Sequence, residues 1–350
     1  MIKTGQNICY RDKYRKIYRN TQVADRKVLL KILFILIFDI VKTEILMDYP
    51  LVSIISVTYD HPDITCEMLS SLRKITYPNI EIIIVDNDSP NDDPSIIKEL
   101  YPEVIFIQNK ENLGFAGGNN TGIRIAKGKY VLLLNNDTEV DPGFLEPLVE
   151  KFESDPKAGA ASPKIRFYHT PDTIQFAGFS RINPYTIRSK GYGYRVKDVG
   201  QFDLDFITNF VHGAAMMIPM EIIRKVGLMA ECYFLYYEEL DWATRIKKAG
   251  YELWYIHNSL VLHKESMSTG KMSPEKIYFM NRARLIYLRR NVTGFPFIIA
   301  ILYQICISIP KNALKFLVKG EPGQFKAYHK AVMWHLRNLF SKNIHPNPEF

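Results

Sequence analysis

Residues 52–59 read Val-Ser-Ile-Ile-Ser-Val-Thr-Tyr, a β-branched apolar run that breaks off at the polar turn Asp60-His61-Pro62. A run of this kind predicts a strand covered on both faces. The same signal recurs downstream. Ile80 to Val85 (IEIIIV) predicts a second strand, Val104 to Gln108 a third and Tyr130 to Leu134 (YVLLL) a fourth. Between them, Asp63 is placed to cap a helix reaching about Lys74, and Thr121 to Lys127 reads as a helix after a glycine loop. Buried strands separated by helices predict an α/β domain with a mostly parallel sheet and helices on both faces. In such sheets ligands bind beyond the carboxyl ends of the strands.

Those ends are polar. They carry Thr58 and Tyr59, then Asp86-Asn87-Asp88, then Asn109, and finally Asn135-Asn136-Asp137. One Asp after a strand is ordinarily a turn residue, but two aspartate-bearing triplets at neighbouring ends mark a site. The stretch Asn112-Leu-Gly-Phe-Ala-Gly-Gly-Asn-Asn-Thr-Gly122 is rich in glycine without the G-x-G-x-x-G spacing of a dinucleotide fingerprint. It offers close backbone approach and free N–H groups at a helix start, which suit an anionic ligand. Further on, Phe234-Leu-Tyr-Tyr-Glu-Glu-Leu-Asp-Trp242 opens a helix that ends before Gly250. Its carboxylates Glu238, Glu239 and Asp241, flanked by aromatic residues, read as an acceptor pocket with a general base. Asp241 is also spaced to pair with Arg245 one turn on. His263 follows the apolar Val261-Leu262 and gains meaning only from the company of Asp137.

The composition fits a globular enzyme: 350 residues, 47% hydrophobic and 23% charged, which excludes a disordered or collagen-like chain. The net charge of +8 is unevenly spread, with residues 1–31 at +7, residues 264–350 at +10 and the body between them at −9. Basic ends beside apolar runs suit an anionic membrane surface rather than nucleic acid. The run from Ile32 to Phe38 is too short to span a bilayer and no small-residue cleavage site follows it. Residues 1–46 therefore read either as an extension outside the fold or as a membrane-surface segment. Phe295 to Ile309 is uncharged and stopped by Pro310, which predicts a buried or interfacial helix. The four cysteines at 9, 66, 232 and 306 form no framework and are expected to be reduced thiols.

Seven motifs in order resemble the family 2 glycosyltransferases, inverting enzymes of the GT-A fold, and their rhamnosyltransferase-like bacterial branch in particular. They are VSIISVTY, VDND at 85–88, NLGFAGGNN at 112–120, LLLNND at 132–137, FLYYEELDW at 234–242, HKESMSTG at 263–270 and Asn281-Arg282. The resemblance covers about residues 50–290. It implies a nucleotide-diphospho-sugar transferase with a Rossmann-like sheet and a C-terminal helical, membrane-associated segment. Residues 1–48 would be an N-terminal extension, 49–290 the transferase domain (49–140 for the nucleotide sugar, 141–290 for the acceptor) and 291–350 an amphipathic region.

The resemblance also implies roles. Thr58, Tyr59, Asp86 and Asn87 would meet the nucleotide, and Asn112, Gly114, Phe115, Gly118 and Asn119 would lie along it, with Asn135 and Asn136 beside them. Asp137 and His263 would hold a divalent cation, Mg2+ or Mn2+. Glu239 would be the catalytic base, with Glu238 and Asp241 as alternates. Trp242, Lys264 and Arg282 would contact the diphosphate or the acceptor. The implied reaction moves a sugar, rhamnose from dTDP-rhamnose or a hexose from UDP, to a saccharide or lipid-linked acceptor at the inner face of the cell membrane, in cell-surface polysaccharide synthesis. Among other classes, a processive polysaccharide synthase would carry several spans and a Q-x-x-R-W motif, which none of the seven glutamines starts. A sugar-phosphate nucleotidyltransferase would carry a G-x-G-x-R-type loop where Asp60-His61-Pro62 stands. A non-catalytic nucleotide-binding or membrane scaffold would have no use for the acidic cluster.

Overall fold

The computed structural model describes residues 49–264 and 273–338. The extension 1–48, the HKESMSTG stretch beyond Lys264 and the last twelve residues lie outside them. Four strands form where their apolar runs predict: β1 (Val52–Thr58), β2 (Ile80–Asp86), β3 (Ile105–Gln108) and β4 (Tyr130–Leu134). They pair in parallel in the order β3-β2-β1-β4, and the core of β1, β2 and β4 is excluded from solvent. Helix α1 (Pro62–Leu72) follows β1. It is entered through His61 in a left-handed conformation with no side-chain cap, so Asp63 stands within the first turn and does not cap it.

The remainder of the sheet is mixed, which corrects the mostly parallel expectation. After β5 (Thr138–Val140) come β6 (Ala158–Phe167), β7 (Thr170–Phe176), β8 (Phe206–Thr208), β9 (Ala215–Pro219) and β10 (Glu252–His263). β9 runs antiparallel to β4, β10 is parallel to β6, and β5 is antiparallel to β10. The last pairing sets Thr138 opposite His263 and so brings the end of the fourth strand to the end of the tenth.

The glycine-rich stretch is helical: helix α3 runs over Gly114–Ile125, after the short α2 (Ser95–Leu100), and starts seven residues before the expected Thr121. Its glycines form a seam against β1. A Cβ at Gly118 would lie 2.9 Å from Val57, and one at Gly122 would lie 2.5 Å from Ile55. The packing demands glycine there, and the helix backbone tolerates it at a cost of about 1 kcal/mol. Gly122→Ala is therefore expected to lower the unfolding free energy by about 1–3 kcal/mol through overpacking, read from the urea midpoint. An unchanged midpoint would mean that Ile55 yields without cost.

Helices α4 (Leu145–Ser154), α5 (Met220–Val226) and α6 (Glu238–Lys248) complete the body. Helix α7 (Pro274–Asn291) packs through Ile277, Tyr278 and Phe279 against Ala327, Tyr328 and Ala331 of the last helix, α9 (Pro322–Arg337). Between them helix α8 runs unbroken over Gly294–Val318, 25 residues. Pro310 does not stop it, because a π-type turn over Gln304–Ser308 opens the spiral just before the residue that cannot donate a hydrogen bond. By length and composition this helix can cross a membrane. Only 17% of its most apolar stretch is buried, which removes the buried one of the two expected alternatives, buried or interfacial.

Candidate active site

A cleft of about 420 Å³ opens beyond the carboxyl ends of β1, β2 and β4. Tyr59, Asn87, Asn112, Gly114 and Phe115 line one side, and Asn135, Asn136, Asp137 and His263 line the floor. Glu238 and Glu239 face them. Asn87 organises the first wall: its amide donates to Asn112 Oδ1 and the Gly114 carbonyl, and its Oδ1 accepts from Asn109 Nδ2 and the Leu113 N–H. Gly114 has φ +68°, and a Cβ there would lie 2.3 Å from the Phe234 carbonyl oxygen, so no other residue fits.

On the floor, Asp137 Oδ1 and His263 Nε2 are 3.0 Å apart. Gln175 Oε1 lies 2.8 Å from His263 Nδ1 and orients the ring so that Nε2 faces the carboxylate. Asp137 Oδ1 is buried and receives no well-directed hydrogen bond. Two donor atoms about 3 Å apart are the bite of adjacent ligands on a cation held at about 2.1 Å. The pair therefore fits a divalent ion. Among the described residues no third His, Cys, Asp or Glu completes a cluster, which leaves the other positions to water or phosphate oxygens.

The opposite wall is built on strained backbone. Phe234, Tyr236 and Tyr237 have φ of +68°, +70° and +71°, a left-handed conformation costing about 1–3 kcal/mol for each such residue. Four hydrogen bonds from three residues hold it. The Phe115 N–H donates to the Phe234 carbonyl at 2.7 Å, Arg282 donates to the Tyr233 and Cys232 carbonyls, and Arg284 Nε donates to the Tyr237 hydroxyl. The loop delivers the start of α6 to the cleft. Burial pushes the Glu239 carboxyl up to about 7. Burial and the charge of Glu239 also raise the Glu238 carboxyl well above the usual carboxylate range, and its Oε2 is buried without a hydrogen bond. Glu239 is thus the carboxylate with the basicity a general base needs near neutral pH.

Several expected site residues lie elsewhere. Asp241 is buried away from the cleft, accepting from Tyr233, Arg245, Arg290 and Asn291. Asp241→Ala should cost about 3 kcal/mol of stability by stranding the cations around it, measured by denaturant unfolding. Trp242 is 1% exposed in the core, its indole N–H donating to the Gly227 carbonyl, so it cannot touch a substrate. The Lys264 ammonium is held by Glu67 and Glu139. The Arg282 guanidinium is buried under the 232–237 loop and stacked 4.4 Å from the Trp334 ring, a clamp rather than a diphosphate contact. Thr58 accepts from the Thr65 hydroxyl, Asp86 accepts from the Ser89 hydroxyl, and Asn119 donates to the Phe115 carbonyl, so these shape the wall from behind. Gly118 serves the helix seam.

Reading strand ends alone missed Gln175, His212 and Gly213, which also line the cleft. Burial and the nearby His263 push His212 down to about 3, and its Nδ1 accepts the Ala214 N–H, so it is neutral. Because β9 is antiparallel, its beginning lies where β4 ends, with Ala215 opposite Leu134. A polar His-Gly immediately before an apolar strand was the signal available.

A family model described as glycosyl transferase family 2 matches residues 53–227. The chain belongs to that family. This family 2 glycosyltransferase is 23% identical over 263 residues to the N-acetylglucosaminyl-diphospho-decaprenol L-rhamnosyltransferase of Mycobacterium tuberculosis (strain CDC 1551 / Oshkosh), covering 69% of this chain and 85% of the relative. It is 26% identical to the poly-beta-1,6-N-acetyl-D-glucosamine synthase of Staphylococcus epidermidis, over 65% of this chain and 60% of that one. Among solved structures it resembles the mannosyltransferase PcManGT from Pyrobaculum calidifontis, in complex with GDP-Man and Mn2+, with a TM-score of 0.51 and 18% identity over 84% of this chain and 88% of that one. It also resembles GalNAc-T7 with UDP, GalNAc and Mn2+, with a TM-score of 0.56 and 14% identity over 85% and 58%. The fold is GT-A.

Proposed function

We propose that this glycosyltransferase inverts the anomeric centre of a sugar carried on a nucleoside diphosphate, rhamnose on dTDP or a hexose on UDP, as it passes to a saccharide or lipid-linked acceptor. One observation carries the reading: Glu239 faces the Asp137–His263 pair across a single cleft. The acceptor hydroxyl attacks the anomeric carbon from the side opposite the diphosphate, and the sugar–oxygen bond to the diphosphate breaks as the new glycosidic bond forms. The hydroxyl proton passes to the Glu239 carboxylate, and the nucleoside diphosphate leaves as an anion. Asp137 and His263 would hold Mg2+ or Mn2+, which when bound supplies charge neutralisation for the departing diphosphate. Asn87 and Asn112 hold the wall along which the nucleotide lies.

The mycobacterial relative, an L-rhamnosyltransferase named for a diphospho-decaprenol-linked acceptor, supports rhamnose and a lipid-linked acceptor, and the staphylococcal poly-N-acetylglucosamine synthase supports a role in polysaccharide synthesis. In this reading residues 49–290 are the transferase domain, and residues 291–350 anchor it at the inner face of the membrane through α8. The test is donor hydrolysis and saturation-transfer binding across dTDP-rhamnose, UDP-glucose, UDP-N-acetylglucosamine and GDP-mannose with Mn2+. A preference for dTDP-rhamnose is expected. Hydrolysis of none of them, with none bound, would remove the proposal.

A further inference from the structure

A second cavity of about 400 Å³ adjoins the first, and the two share Lys276. It lies behind the strained loop, with Tyr237 in its wall next to the glutamates of α6. Three cations line it, Lys276 and Arg284 from α7 and Arg188 from the loop before β8, and among the described residues no Asp or Glu does. Arg188, Arg284 and the buried Tyr328 share its lining. Tyr328 and Asn312 add polar groups, with Asn312 Nδ2 3.4 Å from the Tyr328 hydroxyl. A walled cavity with three cations and no carboxylate is built for an anion with several oxygens.

Its remaining wall names the rest of the ligand. Asn312 and Phe316 belong to α8, so the cationic cavity abuts the membrane-length helix. Next to Phe316 around that helix Leu317 is 59% exposed, and further along it Leu302 and Ile305 are 52% and 58% exposed. An anionic pocket ligand that continued along this helix would be an amphiphile with a phosphate head and a hydrocarbon tail.

We propose that this cavity binds the phosphate or diphosphate of a lipid-linked acceptor, whose hydrocarbon chain runs out along α8 while its sugar reaches past Tyr237 to Glu239. The inference rests on the transferase reading above and assigns its acceptor class. Lys276, at the mouth common to both cavities, stands where head group and sugar join.

The test measures binding of farnesyl diphosphate, farnesol and inorganic pyrophosphate to the full-length protein in detergent. Farnesyl diphosphate should bind at least tenfold more tightly than either fragment, and R188Q and R284Q should each weaken it about fivefold or more. Arg188 is exposed, so R188Q reads the site without disturbing the fold, whereas R284Q also removes the Tyr237 hydrogen bond. Pyrophosphate binding as tightly as farnesyl diphosphate would mean a free-anion site, and farnesol binding as tightly would mean an apolar groove. Unchanged affinity in both variants would place the ligand elsewhere, the donor site included. Each of these overturns the proposal. Nucleotide-sugar hydrolysis by the unaltered protein is followed in the same preparations: hydrolysis without lipid-phosphate binding defeats this inference alone, and loss of both defeats the transferase reading beneath it.

Discussion

Glu239→Gln is expected to slow sugar transfer by about a hundredfold or more while nucleotide-sugar affinity stays near that of the unaltered enzyme. The amide keeps the shape and polarity of the side chain and removes only its capacity to take a proton. Burial raises the Glu239 carboxyl to about 7, so the free enzyme holds the working, ionised base above that pH and loses it below. kcat/KM should therefore fall about tenfold per unit as the pH drops below 7 and level off above it, and Glu239→Gln should flatten that limb. Glu238 sits deeper, 3% exposed, and burial together with the charge of Glu239 disfavours its ionised form, so Glu238→Gln should keep transfer within about tenfold. A hundredfold loss in Glu238→Gln beside an active Glu239→Gln would reverse the two roles.

Asp137→Asn should reduce metal-dependent transfer by about a thousandfold and shift the Mn2+ requirement for nucleotide-sugar binding to higher concentration. Asp137 is the sole carboxylate of the Asn135-Asn136-Asp137 triplet, and His263 Nε2 lies 3.0 Å from it on the floor. An amide at 137 can still accept from the Lys264 side of the strand pair through its backbone, since the Lys264 N–H donates to the Asp137 carbonyl, so the fold should survive. Circular dichroism and the unfolding midpoint check that. Full turnover that still requires metal would exclude Asp137 as the ligand.

Much of the donor side was legible because it follows from local pattern. VSIISVTY and YVLLL are buried strands wherever they occur, and a polar residue at the end of each then lies at the ligand edge. The acidic run at 238–241 was legible as a helix start, and the Asp241–Arg245 pair followed from helical spacing. What local pattern could not carry were decisions made by distant contacts. Whether Trp242 faces a substrate or the core depends on Gly227, fifteen residues away, offering its carbonyl. Lys264 and Arg282 look like free cations until Glu67 and the Cys232–Tyr233 carbonyls are brought beside them. The glycines of α3 read as a loop because nothing nearby in sequence shows that Ile55 and Val57 will press against them. Pro310 read as a stop because the compensating wide turn is a feature of backbone geometry.

The antiparallel insertion of β9 beside β4 has a further meaning for how such an enzyme can diversify. One edge of the cleft is furnished by strands that leave the sheet, the other by a strand that enters it, and the two come from separate stretches of chain. The first group, Asn87 to Asp137, is locked to the sheet and helix seam, on the side the proposed function gives to the donor. The second, His212-Gly213-Ala214, sits on the incoming connection, where Gly213 leaves Glu239 room at 3.8 Å from any Cβ added there. Changes in that connection can therefore remodel what approaches the base without disturbing the strands beneath the nucleotide, so that donor and acceptor preferences are free to evolve on separate schedules.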